Sequence, residues 1–386
     1  MAPPLKMRVP AIMQGFLQLF LLVFVLLSEA YTQPQNYVRV AILQDARSLA
    51  IRVAGFYEIL DKDAKNVLSK GRDLKTTVII YKGLILIGAD KFESERVFIR
   101  AKDKNEIIIN GRKFRGDICF LRKGDADLLV VNYIDLEDYI QGILYHEASH
   151  YWPMEALKAQ AIVCRTYALN QASVNKLNDF DLTSDIYSQV YGGKTSERFR
   201  TNRAVRQTKG EALTYSGNIF PSYYHATCGG HTEDASLLWD IDIAPLKGVV
   251  CPFCKDSPHF SWHAVLGKDD IKNALIKGKY NLKEIKNIAV LDRDNSARII
   301  NLIVTTDKED LKVPAKDFRN LIGPNLIRST NFTVNILDDD AVFEGFGWGH
   351  GVGMCQWGAY FMAKQGYKYQ DILKYYYPDA DISSLK

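Results

Sequence analysis

The 386 residues are 47% hydrophobic and 24% charged, an ordinary globular composition and enough chain for two or three domains. A net charge of +4 is small for this size, and no basic stripe with interleaved aromatics occurs, which excludes nucleic acid as a partner.

Lys6 and Arg8 precede an apolar run from Phe16 to Leu27, broken only by Gln18, and Ser28-Glu29-Ala30 offers small residues for a signal peptidase. Residues 1–30 therefore read as a signal peptide. An uncleaved N-terminal anchor is the alternative, because Pro10 to Leu27 is mostly apolar, although the core run is shorter than the ~20 residues of a spanning helix. Either way the working part is extracytoplasmic, on the periplasmic or cell-wall side. Residues 37–133 are β-rich: VRVAIL, TTVIIYKGLILIG, RVFIRA and DLLVVNYI are β-branched runs punctuated by Gly, Asp and Asn-Gly turns.

Helical periodicity begins at Asp135. Leu136, Ile140, Ile143, Leu144 and Glu147 share one face, so a carboxylate ends an otherwise oily stripe. Pro153 stops this helix and opens a second, MEALKAQAIVCRTYAL, built mostly of strong helix formers. Glu147 thus sits in a last helical turn beside Tyr145, Tyr151 and Trp152. The helix dipole and partial desolvation both disfavour its ionised form, as in a carboxylic acid kept protonated for general-acid work. The bland reading is a helix-end glutamate facing water. Glu155 is the competing carboxylate, but it lies in a first helical turn, where the dipole lowers its pKa.

A polar segment, Asp181 to Gly193, precedes a helix and a hairpin turning at Ser216-Gly217-Asn218. Residues 263–338 read as a short helix, three strands and a second helix at KDFRNLIG. The C-terminal part carries the glycine-rich GFGWGHGVG, a helix from about Gln356 capped at Gly366, and a last helix ending in three tyrosines. The expected class is α+β: a β-rich N-terminal part, a central helical pair carrying Glu147, and a mixed C-terminal part whose GHGVG loop folds back onto that pair.

Cys228-Gly-Gly-His231 and Cys251-Pro-Phe-Cys254 supply four ligands at spacings suited to one structural tetrahedral zinc, with His225 as alternative to His231. A disulfide is the competing reading, favoured by export. His146 to His150 also spells H-E-x-x-H, the helix motif of zinc metallopeptidases, in which His146 and His150 bind zinc and Glu147 activates water. Against it, Pro153 follows too closely for both histidines to sit on one helix.

EDYIQGILYHEASHYWPMEALKAQAIVCRTYAL, SDIYSQVYGG and GWGHGVGMCQWGA, in this order, resemble the SpoIID/LytB family, and ATCGGHTEDA and LIRSTNF also fit it. The resemblance runs from about Val38 to the end, with residues 134–386 as the catalytic region. It implies a lytic transglycosylase that cleaves the MurNAc–GlcNAc bond of peptidoglycan and leaves a 1,6-anhydroMurNAc end. The family's catalytic glutamate falls on Glu147. The sequence departs from the pattern at Cys355, where the family usually has serine, and at His146 and Ala148 beside the acid. No cofactor is required for such chemistry; peptidoglycan strands are the implied substrate and cell-wall amidases are candidate partners. In that reading Gln189, Tyr191, His350, Gly351, Gln356 and Trp357 bind sugar, the glycines admitting close backbone approach. A tight structural turn with a buried histidine is the bland alternative, and a non-catalytic glycan-binding protein is the remaining function class.

Overall fold

Period-two alternation between Tyr37 and Asp135 builds most of one large sheet. In Ser48–Leu60, Leu49, Ile51 and Val53 are buried while Ala50 and Arg52 between them face water. The computed structural model describes residues 37–102, 106–185 and 187–385, so the expected leader or anchor at 1–30 lies outside the described residues. Among the described residues no helix is long and apolar enough to cross a membrane.

The sheet has eleven strands; the short Leu182–Thr183 runs parallel beside Tyr37–Ala46, and the pairings that follow, from Asp127–Asp135 onward, are antiparallel. Eight α-helices follow in chain order among the described residues: α1 Leu136–Glu147, α2 Met154–Val174, α3 Phe199–Gln207, α4 Ser236–Trp239, α5 Lys268–Lys277, α6 Ala315–Ile322, α7 Gln356–Lys364 and α8 Tyr369–Tyr376. The Asp135 carboxylate caps α1 by accepting from the Glu137 and Asp138 N–H groups at 2.9 and 3.3 Å. Pro153 is the cap residue of α2, as its fixed φ allows.

Helix α2 is the spine. Leu157, Ala161, Cys164 and Ala168 join Val38, Val40 and Ile134 in the sheet's core, whereas Ala159, Ile162 and Val163 belong to a second core with Met354, Leu373 and Tyr376. Its Arg165 is fully buried, grips both oxygens of Glu137 on α1 at 2.8 Å, and donates to the Glu211 carbonyl at 2.9 Å. This pairing fixes α1, α2 and the following hairpin in one geometry.

Two connections close the fold. Glu211–Tyr215 pairs with the C-terminal strand Asp381–Ser384, and Tyr224–His225 runs parallel to Met354–Cys355. Between the last two segments the chain makes a separate module, residues 261–346, of two three-stranded sheets with α5 and α6 around Trp262, Leu302, Phe318, Phe332 and Phe343. The class is therefore α+β.

Candidate active site

Glu147 is the last residue of α1, and Ala148 just beyond it is still buried in the sheet's core. Its carboxylate accepts from the Val190 N–H at 3.2 Å, and the Tyr224 hydroxyl is a second partner. Burial is the larger effect and outweighs both bonds, raising the carboxyl from 4.5 to about 7. A cleft of about 410 Å³ opens over it, lined also by Tyr167, Tyr223, Trp239, Arg319, Trp348, His350 and Gln356. Glu147 is the one carboxylate among the described residues lining this cleft.

The opposite wall comes from the C-terminal glycine box. The parallel pairing of Tyr224–His225 with Met354–Cys355 carries Trp348 to His350 over the end of α1. Gln356, the first residue of α7, donates to the Glu147 carbonyl at 2.9 Å and to Gln160 at 3.3 Å, locking the two segments together. His350 accepts from the Val352 N–H at Nδ1 (3.1 Å) and also meets the Tyr224 backbone. Burial, then Arg319 and Arg298, push its pKa down to about 3, and the ring is neutral. Beneath the box lies Arg298, with Nη2 on the Cys228 carbonyl at 2.8 Å. Gly351 has φ +93°, and a Cβ there would stand 2.5 Å from Arg298 Nε, so the glycine makes room for a buried guanidinium.

The residues expected to bind sugar separate into two groups. His350 and Gln356 line the cleft with Glu147. Gln189 and Tyr191 do not: both are 1% exposed. Gln189 accepts from the Tyr139 hydroxyl and donates to that of Tyr224, so it braces the tyrosine that bonds Glu147. Tyr191 packs in the sheet's core with its hydroxyl on Asn132 at 2.7 Å and its carbonyl held by Arg112. Gly351 is buried against Arg298, and Trp357 packs at an angle against Trp152 and edge-on to Tyr360, at ring distances of 5.2 and 5.1 Å, outside the cleft lining. The expected collar around Glu147 also differs. Tyr151 is 80% exposed and Tyr145 lies under the Arg198 guanidinium; Tyr224, Tyr167 and Val190 supply the surroundings instead. Sequence reasoning missed Tyr224, Tyr167, Trp239 and Arg319, whose approach depends on long-range packing.

The metallopeptidase motif is not assembled. Helix α1 ends at Glu147, Ala148 is extended, and His150 falls in the turn beyond. His146 is turned to the Ser196 hydroxyl at 2.6 Å, and His150 lies among the rings of Tyr145 and Tyr151. Glu155, as expected, is a structural charge: Lys158 at 2.8 Å and the Tyr369 N–H outweigh its burial and hold its pKa below the usual range.

The cysteine reading needs one correction. Cys228, Cys251, Cys254 and Cys355 are all buried, and their sulfurs lie within 4.8 Å of one another. His231 is outside the cluster with Nδ1 at 2.6 Å from the Thr232 carbonyl, and His225 Nδ1 faces the Val352 carbonyl at 3.1 Å. The fourth member is Cys355, delivered by the same parallel pairing that forms the cleft. A tetrahedral zinc with bonds of ~2.3 Å requires sulfurs ~3.8 Å apart, so this thiol set fits the ion. All six cysteines carry free thiols.

Residues 124–215 match the family described as Stage II sporulation protein, SpoIID, and residues 253–353 match a domain of unknown function, DUF8618. An uncharacterized protein of Brachyspira hyodysenteriae is 38% identical over 257 residues, 66% of this chain and 68% of that one. Stage II sporulation protein D of Bacillus subtilis is 30% identical over 268 residues, covering 66% of this chain and 76% of its own length. The chain belongs to the SpoIID/LytB family. The Amidase enhancer of Bacillus subtilis is 28% identical over 293 residues, and the match spans 40% of its length. Membership gives the chain a cell-wall-related role. The SpoIID match contains α1, α2 and Glu147, while Arg319, Trp348 and His350 fall in the second matched segment. Residues from both thus line one cleft.

Proposed function

We propose that the protein is a peptidoglycan lytic transglycosylase in which Glu147 acts first as acid and then as base. The observation that carries this reading is a single cleft carboxylate that stays protonated to about pH 7. Hydrolytic glycosidases need a second carboxylate ~5–9.5 Å away, as nucleophile or to activate water. The described residues lining this cleft include no second carboxylate, which supports a nucleophile drawn from the substrate, and the 6-hydroxyl of muramic acid is already within the same sugar. Glu147 gives its proton to the glycosidic oxygen as the C1–O bond breaks. Its carboxylate then takes the proton from the 6-hydroxyl as that oxygen bonds to C1, and the acid is restored.

Around it, the Val190 N–H and the Tyr224 hydroxyl stabilise the carboxylate formed midway, and Gln189 fixes Tyr224. Tyr223, Trp239 and Trp348 offer ring faces to the sugar. Cys228, Cys251, Cys254 and Cys355 would hold a structural zinc, whose closed four-thiolate shell leaves no position for chemistry. The proposed site of action is extracytoplasmic, on glycan strands, and the relative named Amidase enhancer supports a link to cell-wall amidases.

Glu147→Gln keeps the shape and removes the transferable proton. Digestion of purified sacculi should yield anhydromuropeptides, lighter by one water than hydrolytic products. The variant should produce them ~10²–10⁴-fold more slowly. Undiminished anhydro products from Glu147→Gln, or water-added products from the wild type, would reject the mechanism.

A further inference from the structure

Among the described residues lining the cleft, Arg319 is the one fixed cation, and it comes from the 261–346 module rather than from the helices that carry the acid. No carboxylate pairs with it among the described residues. Its Nε donates to the Arg328 carbonyl at 3.3 Å, the same carbonyl that accepts from the Gly349 N–H at 2.9 Å. The guanidinium is thereby registered to the glycine box that forms the cleft wall. Arg328 itself lies over the Trp348 ring at 4.7 Å. Burial, and then Arg298, lower the Arg319 pKa to about 10, so it stays charged across the neutral range. The neighbouring His225 and His350 are held neutral, and Glu147 keeps its proton below about pH 7. Below that pH, the described residues lining the cleft give it a positive charge without an internal counter-ion.

We propose that Arg319 is a specificity-determining residue whose guanidinium pairs with a carboxylate carried by the glycan bound over Glu147. This rests on the saccharide reading of the cleft. A guanidinium matches a carboxylate with two parallel hydrogen bonds. The carboxylate has two sources, the lactyl group of a muramic acid that has lost its peptide, or an acidic group of the stem peptide. In this reading the module of unknown function tells charged strands from neutral ones.

The test uses the full chain carrying Glu147→Gln, which separates binding from chemistry. Affinity is measured for peptide-free glycan strands, the same strands with lactyl carboxylates converted to amides, and peptide-bearing strands with and without amidation of their carboxylates. The expected result is that one charged member of these pairs binds ~10- to 100-fold more tightly than its amidated partner, the magnitude of a charge-assisted bond. The pair that shows the preference identifies the source. Arg319→Gln should erase the preference, and Arg319→Lys should keep part of it. Equal affinity for charged and neutral strands with Arg319 in place overturns the proposal, without relying on any Arg319 variant to fold. So does an Arg319→Gln variant that weakens every strand by the same factor, which would mark a merely structural role. If the preference holds while Glu147-containing protein forms no anhydro product, the lytic mechanism fails and the Arg319 assignment stands.

Discussion

Burial keeps the Glu147 carboxyl protonated to about pH 7, and this has opposite consequences for activity and stability. In the proposed mechanism activity needs the proton, so kcat/KM should fall as pH rises through about 7. The folded pKa lies above the unfolded 4.5, so the folded state is favoured most below 4.5 and loses that advantage as pH rises to about 7 and beyond. A shift of this size is worth on the order of 3 kcal/mol at pH 8. Glu147→Gln never ionises, so relative to wild type it should gain stability between pH 5 and pH 8. Denaturant melts of both proteins at the two pH values check this, and a pH-independent difference would mean that Glu147 is not desolvated. The glutamate proposed as the acid was legible in the sequence as the polar end of an apolar stripe. Its surroundings were not, because Val190 and Tyr224 are brought to it by packing across 43 and 77 residues of chain, whereas the aromatics nearest in sequence point elsewhere.

At the scale of elements, one short parallel pairing does two jobs. Tyr224–His225 against Met354–Cys355 carries the glycine box to Glu147 and Cys355 to the other three thiols. Cys355 is also the cap of α7, its sulfur accepting from the Gly358 N–H at 3.3 Å. Serine, which the family usually has there, caps a helix well but is a poor zinc ligand. Cys355→Ser should therefore preserve the cap while losing metal. Purified wild-type protein should hold about one zinc per chain, and the variant less, with a lower Tm because binding energy is folding energy. Activity should fall with it, since Gln356 positions the Glu147 carbonyl from the next residue. A wild type without metal, or a Cys355→Ser protein with unchanged zinc and Tm, would reject the site. The three-cysteine pattern was legible from spacing, and Cys355 was visible only as a departure from the family's serine. Nothing local told that a residue 101 positions beyond Cys254 completes the set.

For the whole molecule, the change of pattern near Ile134 marks a change of secondary structure inside a continuous core. Val38, Val40, Val130 and Ile134 from the sheet share one cluster with Tyr139, Ile140 and Ile143 of α1 and Leu157, Ala161 and Cys164 of α2. Periodicity finds which face of a helix is apolar, but not whether its partner is the next element or a sheet behind it, so the sequence alone marks 37–133 as β-rich without showing that it shares a core with the helices. The module at 261–346 has its own core, and the reading of 263–338 found its two helices and the locally paired strands Ile285–Arg293, Ile299–Thr306 and Asp310–Pro314, but not the second sheet, in which Ser261–Gly267 pairs with the distant Asp340–Phe346. These two arrangements predict different responses to cutting the chain. A fragment lacking residues 37–133 exposes the apolar faces of α1 and α2, each large side chain being worth ~1.5–3 kcal/mol of burial. Several such losses exceed the ~5–15 kcal/mol that holds a typical domain together. The fragment should therefore lose near-UV circular dichroism and all anhydro product formation, although it retains Glu147, Arg319 and the four cysteines. A truncated chain that melts cooperatively and still cleaves glycan strands would show that the helical pair does not depend on the sheet for its geometry.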